Sequence, residues 1–234
     1  MSEHISNSRR KFLACAVVAA PAVSLLGSSV IPSVLASDRP PASYRPGYFT
    51  EPEWGFLNAA LDRLIPANAD GPGALEAGVA EFIDRQMNDA YGHGGFWYMQ
   101  GPFFPDAPES LGYQLRFTPR ELYRVGIASL ERWCAANHGK PFAELDGATQ
   151  DAVLGQLEQG RIELDALPAR ALFAQLLQNT REGYFADPLY GGNKGMGSWK
   201  MIGFPGARAD FMDWAEQPGK VYPYGPVSIR GNRA

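Results

Sequence analysis

The sequence predicts a mostly α-helical protein, an irregular bundle of about five helices joined by long loops rich in glycine, proline and aromatic residues. Three observations lead there. Apolar residues recur at helical spacing in five stretches, two of them opened by a Thr-x-x-Glu box. No alternating apolar and polar run exceeds a few residues, so no sheet is expected. The 26 glycines and 19 prolines among 234 residues are many for a compact helical chain, and they gather between the periodic stretches.

The first element is set apart from the rest. Ser8-Arg9-Arg10-Lys11-Phe12-Leu13-Ala14 follows a polar start and precedes the apolar run Cys15 to Leu26. That order is the design of an export signal, and Arg9 and Arg10 followed by Phe12 and Leu13 resemble the twin-arginine class. The run is rich in alanine and holds Pro21, which makes it too weak for a comfortable membrane span. Val34-Leu35-Ala36 offers a signal peptidase its small residues, so cleavage is expected after Ala36, with an uncleaved N-terminal anchor as the alternative. A mature chain starting there loses Glu3, Arg9, Arg10 and Lys11 and keeps 18 basic and 24 acidic residues, a net charge of −6. Cys15 leaves too, and Cys134 becomes a single cysteine, either buried and inert or bonded to another chain.

Residues 37–49 are proline-rich and read as an extended arm. Residues 50–234 read as one helical domain. Thr50 and Glu53 form a capping box with Pro52 in the first turn, and Phe56, Leu57, Ala60, Leu61 and Leu64 carry the first helix to Pro66. After the turn at Asn68 to Gly73, a second helix is predicted from Ala74 to Ala90, with Leu75, Val79, Phe82, Ile83 and Met87 on one face. Thr118, Pro119 and Glu121 open a third helix, which Gly139-Lys140-Pro141 closes. Two more are predicted, near Gly147 to Gln159 and Pro168 to Arg181. Residues 91–117 and 183–230 lack periodicity.

The acidic balance argues against a nucleic-acid partner, whose footprint would be basic. Two cysteines exclude a disulfide-knitted miniprotein and a four-cysteine metal site. His93 lies in a glycine loop and His138 at a helix end, with no acid or cysteine at ligand spacing. Gly197-Ser198-Trp199 lacks the flanking glycine and preceding strand of a nucleophile elbow. Gly191 to Gly197 meets neither phosphate-loop spacing. No catalytic, metal-binding or cofactor-binding residue is expected. A folded-export signal on a chain with no visible cofactor is a mismatch that points to a partner.

The two irregular stretches supply the surface for one. Phe96, Trp97, Tyr98, Phe103 and Phe104 in the first, and Tyr190, Trp199, Phe204 and Arg208 in the second, have the composition of interface cores. Aromatic loops also stack on sugars, so a free-standing periplasmic sugar-binding protein is the alternative; an enzyme built on Cys134 or His93 is a further rival.

Tyr113-Gln114, Thr118-Pro119-x-x-Leu122-Tyr123-Arg124-x-Gly126-Ile127, Gly183 to Pro188, Tyr190-Gly-Gly-Asn193, Trp199-Lys200 and Ile202 to Arg208 closely resemble subunit 3, the small or gamma subunit, of gluconate 2-dehydrogenase. The likeness runs from about Thr50 to Trp214. It implies a periplasmic, membrane-associated complex in which an FAD-containing catalytic subunit oxidises the sugar acid and a multihaem cytochrome c subunit passes electrons to quinone. It implies that the small subunit carries no cofactor, binds the flavin subunit, and exports it folded through the twin-arginine machinery.

Overall fold

Thr50 sits extended and exchanges hydrogen bonds with Glu53, so helix α1 (Glu51–Leu64) starts at a closed capping box. The same device opens α3 (Pro119–His138), where Thr118 and Glu121 pair and Gly139, at φ 71°, closes the far end. This computed structural model describes residues 44–105 and 107–234. The signal residues Arg9, Arg10, Phe12 and Leu13, the cleavage site at Ala36 and most of the arm lie outside the described residues. The chain divides into units Met1–Ala42 and Ser43–Ala234, and every element described belongs to the second.

Three further helices match the sequence expectation with shifted ends. Helix α2 (Val79–Asn88) begins five residues later than predicted, because Gly78 takes the left-handed conformation at φ 74° and leaves Ala74 to Gly78 as turns. Leu75 thereby falls off the buried face and is exposed, while Ala74 and Ala77 are buried. Helix α4 (Gly147–Glu158) is capped by Asp146, whose carboxylate accepts from the Thr149 amide at 3.1 Å. Helix α5 (Ala169–Phe185) runs four residues past the predicted end, since Gly183 and Tyr184 continue its buried face. A sixth helix, α6 (Gly197–Ile202), was not predicted; six residues between glycines carry too little periodicity to be read. Among the described residues there is no strand, only isolated bridges from Val227 to Gly206 and Arg233. No helix among them is long and apolar enough to cross a membrane.

Helix α5 is the hub and touches all five other helices. Leu172 and Leu176 stand on its inner face beside Phe56 and Leu61 of α1, Ile83 of α2 and Leu122 and Leu130 of α3, all fully buried. The same face carries two amides. Gln175 and Asn179 both donate to the Tyr91 hydroxyl, at 2.7 and 2.9 Å, and Asn179 accepts from Tyr123 at 3.1 Å. Each amide is thus satisfied inside the bundle, as burial requires.

The described part of the arm, residues 44–49, is docked rather than loose. Tyr48 and Phe49 are buried, and their amides donate to the fully buried Asp84 of α2. Arg124 of α3 pairs with Glu53, donates to the Tyr48 carbonyl at 2.9 Å and lies over the Tyr48 ring at 4.4 Å.

For Cys134 the sequence leaves two readings open. It is fully buried on α3, and burial, with Glu131 nearby, pushes its thiol up to about 12. Of the two readings of this residue, the buried one fits; a disulfide to another chain has no access to the sulfur. The folded chain should therefore resist a thiol reagent at pH 8 and react fully once unfolded in urea, and non-reducing gels should show no Cys134-linked species.

Two glycines should respond in opposite directions. A Cβ on Gly192 would collide with the Gly183 backbone carbonyl, where α5 and the following loop cross. Gly192→Ala should cost about 1–3 kcal/mol in urea unfolding, as overpacking against an immovable neighbour does. Gly155 sits inside α4 with open space around it, so Gly155→Ala should raise stability by about 0.5–1 kcal/mol.

Candidate functional site

The first aromatic segment leaves α2 through tight turns, in which Gly92, Gly95 and Trp97 donate to Gln86, Ala90 and Gly94. These turns bring the Trp97 ring edge-on to Tyr91, with centroids 6.0 Å apart and planes at 89°. The other face of Trp97 meets Tyr113 at 4.5 Å, and Tyr113 is fixed by donating to the Phe117 carbonyl at 2.5 Å. Burial raises the Tyr91 and Tyr113 hydroxyls above their ordinary range, so both stay protonated.

With Trp97 held, its neighbours point outward. Phe96 is 77% exposed, Tyr98 80% and Phe104 59%. Phe103 is half-buried and lines a groove of about 450 Å³ with Trp97, Tyr98, Pro102, Leu111 and Tyr113. Among the described residues, no charged side chain lines this groove.

The second segment splits. Tyr190 and Phe204 are exposed, as a docking surface needs. Trp199 faces inward instead: its indole donates to the Phe185 carbonyl at 2.8 Å and its ring meets Phe204 edge-on at 5.0 Å. Arg208 is also engaged within the chain, donating to the Gly225 carbonyl at 2.9 Å and lying over the Tyr222 and Tyr224 rings. Sequence reasoning missed Phe185, Met201 and Ile202, which are exposed around Phe204. The signal that could have found Met201 and Ile202 was an apolar end to a short helix between two glycines.

The remaining candidates show no convergence. His93 is exposed and its ring contacts the Arg120 guanidinium rather than an acid. Among the described residues no group of three or more His, Cys, Asp or Glu lies close enough to hold a metal ion. The Gly191 to Gly197 turn does not fit a phosphate. It leads into a helix of six residues, and its lysine, Lys194, is paired with Glu81 at 2.5 Å. Glu81, buried between Lys194 and Arg85, ties this turn to α2. What the described residues offer is an aromatic surface braced by ring contacts.

Neither a curated protein nor a solved structure gave a match to the chain. A family profile described as gluconate 2-dehydrogenase subunit 3 matches residues 51–206. The match opens on the first residue of α1 and ends at Gly206, so it spans all six helices and both aromatic segments up to the Trp199–Phe204 pair. It covers two thirds of the sequence, and on that ground the chain belongs to the gluconate 2-dehydrogenase subunit 3 family.

Proposed function

We propose that this chain is the non-catalytic small subunit of a periplasmic, membrane-associated gluconate 2-dehydrogenase complex. It binds and stabilises the FAD-containing catalytic subunit and carries it, folded, through the twin-arginine pathway. FAD and haem c then belong to the partners, a flavin subunit and a multihaem cytochrome c subunit. Contact with the membrane is peripheral and runs through those partners.

The observation that carries this reading is the outward set Phe96, Tyr98 and Phe104 around an aromatic groove, braced from behind by Trp97, Tyr91 and Tyr113. Aromatic side chains dominate interface energetics, and a braced loop loses little conformational freedom on binding. Among the described residues the groove's lining offers no cation to meet a sugar-acid carboxylate, which favours a protein partner over gluconate itself. The pair Arg9 and Arg10 before an apolar run supports export, and export of a folded passenger suits a partner that must receive its flavin beforehand.

Replacing Phe96 and Tyr98 together by serine should lower recovery of the flavin subunit with the tagged small subunit at least tenfold, with the thermal transition of the small subunit unchanged. Full recovery would remove this loop from the interface. Changing Arg9-Arg10 to Lys-Lys should leave dehydrogenase activity in the cytoplasmic fraction. Normal activity in the periplasmic fraction of that strain would end the escort reading.

A further inference from the structure

We propose that Asp84 is a folding-dependent latch, closing the arm behind the export signal only once the first three helices have assembled. The inference rests on the export reading. Asp84 is fully buried on α2, and its carboxylate accepts four hydrogen bonds that all come from one short stretch of the arm. The Tyr44 hydroxyl and the Gly47 amide reach one oxygen at 2.7 and 2.8 Å; the Tyr48 and Phe49 amides reach the other at 3.0 and 3.1 Å.

Three backbone amides converging on one carboxylate fix register. A slip of one residue along the arm would misplace every donor and leave a buried charge unsatisfied. The seat is composite. Tyr48 also donates its hydroxyl to the Arg120 carbonyl of α3, and Arg124, paired with Glu53 of α1, holds the Tyr48 carbonyl. The arm thus contacts α1, α2 and α3 at once, and no one of these helices alone presents the site. Gly47 completes it, because a Cβ there would press on the Asn88 side chain at 3.2 Å.

The consequence falls on the stretch directly behind the signal. Seven residues separate Ala36 from Tyr44. With the latch closed, Tyr48 and Phe49 are buried and the chain is held from Tyr44 onward. With the latch open, the held part begins at α1, and two apolar aromatics stand in water next to the signal. Exposed apolar chain beside the signal therefore marks a body that has not assembled.

The test uses full-length chain with its copurifying partners, as Asp84→Ala and, separately, Gly47→Leu. Chymotrypsin cleavage after Tyr44, Tyr48 or Phe49 should be at least tenfold faster in both, while the thermal transition of the body stays within a few degrees. Signal removal in cells should slow several-fold in both. Unchanged cleavage, or cleavage that appears only when the whole body unfolds, would overturn the latch. An opened arm with signal removal at the wild-type rate would overturn its coupling to export. Should Asp84→Ala not fold, Gly47→Leu, which substitutes no residue of α2 and keeps the Asp84 carboxylate, decides. Arg9-Arg10 to Lys-Lys in the wild-type background reports on the export reading separately: normal processing there removes the coupling, while the cleavage assay still decides whether the arm is latched.

Discussion

Two amides on the buried face of α5 constrain everything packed around that helix. Gln175 and Asn179 have no water to turn to, and an unsatisfied buried polar group costs about 1–3 kcal/mol. Tyr91 and Tyr123 meet that demand, from the start of the first aromatic segment and from α3. Because Tyr91 is fixed in this way, the ring that meets it edge-on is fixed too, and Trp97 transmits the order outward to the loop. At its C-terminal end α5 does the same for the second segment. The carbonyls of Tyr184 and Phe185 receive the Ser198 hydroxyl at 2.5 Å and the Trp199 indole at 2.8 Å. One helix therefore positions both irregular stretches, although they stand some hundred residues apart in the chain.

How much was legible in the sequence depends on the range of the interactions involved. The starts of α1 and α3 are written within four residues, in Thr50 with Glu53 and Thr118 with Glu121, and both boxes are closed in the structure. The start of α2 depended on one glycine adopting a positive φ, which residue type allows but does not dictate. The site divides along the same line. Phe96, Tyr98 and Phe104 were legible as outward aromatics because nothing periodic surrounds them. The inward turn of Trp199 was not, since it depends on a carbonyl fourteen residues earlier in the chain. Asp84 was equally hidden: an acid in an amphipathic helix reads as part of a solvated face, and only the fold shows the arm bringing three amides and a hydroxyl to it.

Charge obeys a related rule in the interior. Glu53 is buried with Arg124, and Glu81 with Arg85 and Lys194, so both carboxylates have compensating cations. Such pairs add little net stability, because desolvation offsets the attraction. Their effect is on specificity. Each joins elements remote in sequence, Glu53 linking α1 to α3 and the arm, and Glu81 linking α2 to the turn before α6. A wrong pairing of these elements would strand a charge, which rules out alternative packings more strongly than it stabilises the right one.

The distribution of exposed apolar side chains completes the case for a partner. Apart from Leu75, the large ones among the described residues belong to the two irregular segments: Phe96, Tyr98, Phe104, Leu111 and Tyr113 to the first, and Phe185, Tyr190, Met201, Ile202, Phe204, Met212, Val221, Tyr224 and Ile229 to the second. A chain that had only to stay soluble could fold these segments over its own surface, since both are long and contain enough glycine to bend. Instead their inner residues, Trp97 and Trp199, are tied to the bundle in ways that hold the outer ones in water. Apolar surface left in water is unfavourable by about 25 cal/mol per Å², and a rigid scaffold that maintains it must recover that term elsewhere. A partner's surface laid over the same residues recovers it, and the rigidity then works in favour of binding because little freedom remains to be lost. On this account the free small subunit is an incomplete molecule. On the proposed function, its irregular loops are the half of an interface that could be ordered in advance.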